Sequence, residues 1–125
     1  MLAVVKSIIN DKIYVESDIG DFRGIWCEKV PVRLKEYILE LTCDEIMQRN
    51  NVQISDCNIP SISCRSDIVN INGYAESNEG SILYIRLNED LIMLEFEPIV
   101  DLSIYLEKYV SLFIRELKLY DTGLI

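Results

Sequence analysis

The chain of 125 residues contains no histidine. Its absence removes the commonest general base, together with the Ser-His and Cys-His pairs that activate nucleophiles. Four cysteines are present, but no two form a C-x-x-C pair, whereas structural zinc sites normally use paired ligands at short spacing. In a cytosolic chain, free cysteines are usually small buried hydrophobes. We therefore predict no catalytic residues, no metal, no cofactor, no structural disulfide and no enzymatic activity; the cysteines are Cys27, Cys43, Cys57 and Cys64.

Long hydrophobic runs are also missing. The longest apolar stretches fall far short of the roughly 18 residues that a membrane helix requires. The opening segment MLAVVKSIIN is interrupted by Lys6 and is followed by no small-residue cleavage site, so it predicts a first strand and not a signal peptide. The expected location is the cytoplasm, with no membrane association.

Basic residues are scarce: 12 Lys and Arg stand against 21 Asp and Glu, which gives a formal charge of −9 and a pI of about 4.4. Nucleic-acid phosphates and anionic membranes repel such a chain, because binding to them depends on Lys and Arg. A basic protein is the complementary partner. The alternative, that the acidity serves only solubility, stays open at this point.

Glycine and proline are few, with 5 and 3 residues, and they fall mostly between short runs of alternating polar and apolar residues. Strands at this spacing, with turn residues between them, predict a mainly β fold, a single antiparallel barrel or sandwich-like domain. No internal repeat or linker is visible, so residues 1–125 are expected to form one domain. Asn72-Gly73 is a strong signal for a two-residue hairpin turn. The runs that predict strands are LAVVKSII, KIYVES, FRGIWCEKV, EYILELTC, NVQIS, DIVNINGYAES, ILYIRL and LIMLEFE.

The closing segment YVSLFIRELKLY has two readings. At period 3.6 its apolar residues share one helical face, and Asp101 could cap a helix that Gly123 ends. At period 2 it is a strand rich in aromatic and β-branched residues. We expect at most one helix near the C-terminus, a short one over 101–108, followed by a closing strand over 109–120. A continuous helix extending to residue 119 is the alternative.

Negative charge is concentrated between Asp67 and Asp101, where eight acids accompany a single base, Arg86. The hairpins predicted there would present a focused negative potential, which speeds and orients encounter with a basic partner. A merely solvated face is the competing explanation. The candidate partner-binding residues are Glu76, Glu79, Glu89, Asp90, Glu95 and Glu97.

Two other patterns have a possible chemical reading. Paired carboxylates, Glu95 with Glu97 or Glu28 with Glu40, are the residue types that cleave glycosidic bonds, but nothing else in the sequence supports that reaction. In FRGIW, Gly24 suggests a bulge or a close backbone approach. Phe22 and Trp26 would lie on one face, either as a stacking platform or as core residues.

The size, the acidity, the lack of histidine and the Ile- and Asn-rich β pattern together resemble the small acidic immunity proteins of bacterial polymorphic toxin systems, including contact-dependent growth inhibition. That resemblance implies a cytoplasmic antitoxin that binds one cognate toxin, often a basic nuclease, and blocks it. The alternatives are a small β-barrel module that binds a small ligand or oligonucleotide, and a subunit of a larger assembly. The sequence does not indicate an oligomeric state.

Overall fold

The computed structural model describes residues 1–124, and eleven β-strands with two short 3-10 turns make up nearly all of its regular structure. The predicted mainly β class is confirmed. Alternation is the physical reason, as in the strand Ile82–Leu87, where every second side chain is buried. The strands are β1 (Leu2–Ile9), β2 (Lys12–Ser17), β3 (Gly20–Trp26), β4 (Glu36–Thr42), β5 (Val52–Ile54), β6 (Ser61–Arg65), β7 (Ile68–Glu79), β8 (Ile82–Leu87), β9 (Asp90–Glu95), β10 (Tyr109–Ile114) and β11 (Lys118–Asp121).

Five of these strands close into a barrel in the order β1-β2-β3-β11-β4, with β4 returning to β1. The first three form an antiparallel meander. The last strand of the chain, β11, lies between β3 and β4, parallel to the former and antiparallel to the latter. The parallel β3–β11 contact is therefore the only parallel strand pair of the barrel among residues 1–124.

The remaining strands form a second sheet in the order β5-β10-β7-β8-β9, with β6 pairing on β7 beside this path. All of its strand pairs are antiparallel. A single parallel bridge from Met47 to Phe96 joins the end of β9 to the segment that precedes β5. This bridge occupies the same position in the second sheet as the parallel β3–β11 contact that closes the barrel.

The two sheets share one plan, with a spacing of about 70 residues. A bulge interrupts β1 between Val5 and Ser7, and the same bulge interrupts β7 between Ala75 and Ser77. Each bulged strand leads through a tight turn into a hairpin of matching register. The structure therefore contains an internal repeat of the backbone that is not visible in the sequence.

Each half of this repeat is completed by a strand from the other half. β5 follows β4 along the chain but pairs with β10 in the second sheet. β11 follows β10 but pairs with β4 in the barrel. The apolar core is accordingly one cluster that includes buried residues of both sheets, such as Phe22, Leu39, Ile85, Leu112 and Leu119.

Three local predictions need correction. Asn72-Gly73 forms no hairpin but lies in the middle of β7, where the amide of Asn72 anchors the loop before β6 through the carbonyls of Cys57 and Ile59. β6 was not predicted, because its serine-rich sequence acquires a ladder only from β7. The continuous helix to residue 119 is wrong: a 3-10 turn at Leu102–Ile104 precedes β10 and β11, which are two strands and not one.

Candidate functional site

The outer surface of the β7–β8–β9 hairpins combines an apolar centre with an acidic border; we call it the acidic face. Because paired residues of neighbouring strands point to the same side, the register places three rows on this surface. Leu91 and Met93 are 41% and 56% exposed there. The three rows are Tyr74-Arg86-Leu91, Ser77-Tyr84-Met93 and Glu79-Ile82-Glu95.

Aromatic residues extend the apolar centre toward β10. The rings of Tyr74 and Tyr109, which pair across β7 and β10, lie 5.4 Å apart between centroids at an interplanar angle of 59°. Such a tilted pair is favourable and holds both rings at defined positions. The acidic face therefore offers ordered aromatic and aliphatic surface next to carboxylates.

The only base of this region is already engaged. Arg86 donates to Glu76 at 2.9 Å and also contacts the backbone carbonyl of Glu89. Glu76 lies at the bulge of β7. Because each neutralises the other, neither residue contributes a free charge to the acidic face.

Glu79 and Glu95 lie in one row, at the end of the acidic face nearest the β7–β8 turn. Both are exposed. Glu79 accepts a hydrogen bond of 3.2 Å from the hydroxyl of Tyr84. Partial desolvation and the neighbouring Glu79 carboxylate raise the pKa of Tyr84. Glu97, beyond the end of β9, is half-buried and bonds to Gln48.

At the opposite end of the hairpin, Glu89 lies exposed in the β8–β9 turn, and Asp90 begins β9. The carboxylate of Asp90 accepts a hydrogen bond of 2.8 Å from the amino group of Met1. Both acids line a cleft of about 810 Å³ that Asp18 also borders. An adjoining cleft of about 290 Å³ runs along β9 past Leu91 and Ile92.

The six predicted residues thus lie in one region without forming one cluster. Glu79 and Glu95 lie exposed on the acidic face, and Glu89 faces the cleft; none of the three has a basic partner among residues 1–124. Glu76 and Asp90 pair with cationic groups, and Glu97 accepts a hydrogen bond from the amide of Gln48. Sequence reasoning missed Leu91 and Met93. In LIMLEFE both alternating sets of residues contain apolar side chains, so one of the two sets had to be exposed.

The alternative sites have simple structural roles. Phe22 is buried in the core, so it cannot serve as a stacking platform. Trp26 packs edge-on against Tyr37, with ring centroids 4.9 Å apart. Gly24 marks a close approach, since a Cβ at that position would lie 2.7 Å from the carbonyl oxygen of Leu117.

Residues 1–124 hold no group of three potential metal ligands, and no helix among them is long and apolar enough to cross a membrane. Cys43 is buried and Cys57 is exposed, while Cys27 and Cys64 are half-buried. No protein-family model, no curated protein and no solved structure matches the chain.

Proposed function

We propose that this protein is an antitoxin that binds a basic protein toxin through the acidic face and thereby neutralises it. The observation that carries the proposal is the arrangement of that face: Leu91 and Met93 are exposed on β9 beside Tyr84 of β8, and the carboxylates of Glu79 and Glu95 border this apolar surface. An apolar centre within a polar rim is the usual anatomy of a protein–protein interface. The choice of a toxin as the partner comes from the resemblance of the sequence to immunity proteins.

The two parts of the face would act at different stages of binding. Exposed carboxylates steer a basic partner during diffusional encounter, and each contributes about 1 kcal/mol or less to affinity. Burial of Met93, Leu91 and the Tyr74–Tyr109 pair supplies the larger share, since apolar surface removed from water is stabilising by about 25 cal/mol per Å². Affinity is therefore expected to depend on the apolar residues of the acidic face, and the association rate on its exposed carboxylates.

An oligonucleotide is a poorer occupant of this surface. Some five-stranded barrels bind single strands on the sheet face formed by their second and third strands, and β8 and β9 are the second and third strands of the β7–β8–β9 meander. Stacking surface is available at Tyr84. However, phosphate binding requires free cations, and Arg86 is paired with Glu76 while the border is acidic. The geometry favours a basic protein.

The test begins with the gene adjacent to the one that encodes this chain. The toxin domain it encodes is expressed in a laboratory bacterium with and without this protein, and growth is measured. The proposal predicts arrest without the protein and growth with it. Met93→Ala should weaken rescue, whereas Ile9→Ala, which removes an equally exposed side chain from β1, should not. Arrest that persists with the wild-type protein, or equal rescue by both variants, contradicts the proposal.

A further inference from the structure

The free edge of β3 is covered within the protein. Its backbone groups that do not pair with β2 belong to residues 19, 21, 23 and 25, because Gly20, Phe22 and Gly24 face β2. β6 lies along the first part of this edge: the amide of Ile62 donates to the carbonyl of Ile19 at 2.9 Å, and the amide of Arg23 contacts Cys64 Sγ at 3.2 Å. The amide of Ile25 donates to Leu117.

In the second half, β9 occupies the place of β3, and its edge is covered at one end only. The carbonyl of Glu95, the counterpart of Ile25, accepts from the amide of Met47 at 2.7 Å. Leu91 and Met93 are the counterparts of Asp21 and Arg23. Within residues 1–124, no strand and no loop pairs with the backbone of these two residues on the side away from β8. The second half has no strand equivalent to β6.

The space beside this edge has a defined chemical character. The adjoining cleft of about 290 Å³ is lined by apolar side chains, including Ile38 and Leu41, and by the carboxylates of Glu40 and Asp90. Glu89 borders the larger cleft at one end of β9, and Glu95 stands exposed at the other. A chain segment that entered here would meet unpaired backbone groups, apolar surface and at least three acids.

We propose that an extended, basic segment of the partner protein adds to β9 as a further strand, along the edge that corresponds to the one that β6 covers on β3. The inference rests on the proposed function and names its mode of binding. The backbone of the segment pairs with the outward amides and carbonyls of Leu91 and Met93. Its alternate side chains extend the acidic face, where lysine or arginine next to Glu95 and Glu89 is favoured and an acidic residue is repelled. Addition to an exposed sheet edge is a recurrent mode of peptide recognition, with backbone bonds supplying affinity and side chains supplying specificity.

The experiment uses the full chain, labelled with ¹⁵N, and an eight-residue peptide of alternating lysine and valine. A peptide of alternating glutamate and valine is the matched control. Amide hydrogen exchange is measured by NMR with and without each peptide at low ionic strength. The lysine peptide is expected to slow exchange at Leu91 and Met93 by at least tenfold, with little change at Ile92 and Leu94, whose amides already face β8.

Two variants separate the backbone from the side chain. Met93→Pro removes the outward amide, a substitution that edge strands tolerate when the lost N–H faces solvent, and it should abolish peptide binding. Met93→Ala retains the amide and should retain protection at Leu91. If Met93→Pro fails to fold, the exchange measurement on the wild-type chain still decides.

Protection that appears elsewhere, or equally with the glutamate peptide, overturns the inference. Chemical-shift changes on the acidic face without protection of Leu91 and Met93 also overturn it, and they leave the proposed function intact because the face would then bind without strand pairing. If neither peptide binds, this mode of binding is rejected. The proposed function is tested separately, by the growth rescue.

Discussion

Leu34 and Glu107 occupy the same structural position in the two halves of the chain. Both adopt a left-handed backbone conformation, with φ of 67° and 62°, which is uncommon for residues other than glycine. The amide of Leu34 donates to the carbonyl of Val5 at 2.7 Å, and that of Glu107 donates to Ala75 at 2.8 Å. Since Val5 and Ala75 precede the two matching bulges, the repeat extends from the hairpins to the loops that close them.

The repeat predicts which residues the β7–β8 turn accepts. Gly80 and Asn10 occupy equivalent turn positions, with φ of 56° and 58°. Asn tolerates this conformation, whereas other side chains cost about 1–2 kcal/mol there. Gly80→Asn should therefore change the free energy of unfolding by less than about 0.5 kcal/mol, and Gly80→Ala should lower it by about 1 kcal/mol. Urea denaturation measures both; equal losses would argue against equivalence of the turns, because a Cβ at Gly80 meets no other atom within 4 Å.

Asn72 should be a structural residue and not a turn former. Its side-chain amide donates to the carbonyls of Cys57 and Ile59 at 3.0 and 2.9 Å, and its oxygen accepts from the hydroxyl of Ser111. Asn72→Ala leaves these partners unsatisfied and should lower the free energy of unfolding by about 1–3 kcal/mol. The exposed Asn78 is the control, and Asn78→Ala should change the free energy by less than about 0.5 kcal/mol. Equal effects in thermal or urea unfolding would refute the assignment.

The location of the acidic residues, and not the total net charge, should control the rate of association with the toxin. Changing Glu79, Glu89 and Glu95 to glutamine removes acids that have no basic partner among residues 1–124. The association rate at low salt should fall, and its dependence on ionic strength should flatten.

The matched control alters net charge equally through Asp11→Asn, Glu28→Gln and Glu36→Gln, which are exposed positions outside the acidic face. Its association rate should stay close to that of the wild type in stopped-flow measurements against the toxin identified by growth rescue. If the two triple variants slow association to the same extent, charge on the acidic face has no special part in binding.

Cysteine reactivity should follow burial. Burial raises the pKa of the Cys43 thiol to about 11, although the backbone amide of Glu45 acts in the opposite direction. Iodoacetamide at pH 8 should therefore label the exposed Cys57 first and leave Cys43 unmodified in the native protein, because the thiolate is the reactive form. Mass spectrometry of a labelling time course checks the order. Early modification of Cys43 would contradict its buried position.

The same shift has a consequence for stability. The folded pKa of Cys43 lies above the ordinary value of 9.0, so between these values the native state holds a proton that the unfolded state has released. The contribution of this thiol is fully present below pH 9 and is lost as the pH rises through about 11. Cys43→Ala should reduce the alkaline decline of the free energy of unfolding, measured by urea denaturation from pH 8 to 10.5.

Local patterns were enough to predict the strands that are joined by two-residue turns. In β1, β2, β8 and β9 the alternation of side chains coincides with turn residues, so each boundary is set within a few residues of the chain. The turn signal at Asn72-Gly73 failed because β7 pairs on both sides and its burial outweighs the local preference for a turn. β5 and β11 each pair with a strand of the other half of the chain. These pairings join distant segments, and no local pattern encodes them.

The candidate site was predictable in composition but not in geometry. The concentration of acids was visible, yet which of them are free depends on contacts such as Arg86 with Glu76. The repeat stayed hidden because it conserves backbone conformation more than residue type. Tyr14 and Tyr84 match, whereas Val5 corresponds to Ala75 and Leu34 to Glu107. The open edge of β9 becomes recognisable only by comparison with β3, and that comparison needs the pairing of both sheets.

The exchange of β5 and β11 bears on how such a chain could arise. A single unit of the repeat would contain one bulged meander and one further strand that leaves it. Its own sheet then lacks one strand, and its outgoing strand fills the equivalent place in the sheet of a second unit. Two identical copies would satisfy each other as a symmetric, strand-swapped dimer. Joining the two copies into one chain would preserve every strand pairing. The sequences of the two copies would then be free to differ. One copy then carries β6 on its edge, and the other is free to leave that edge open.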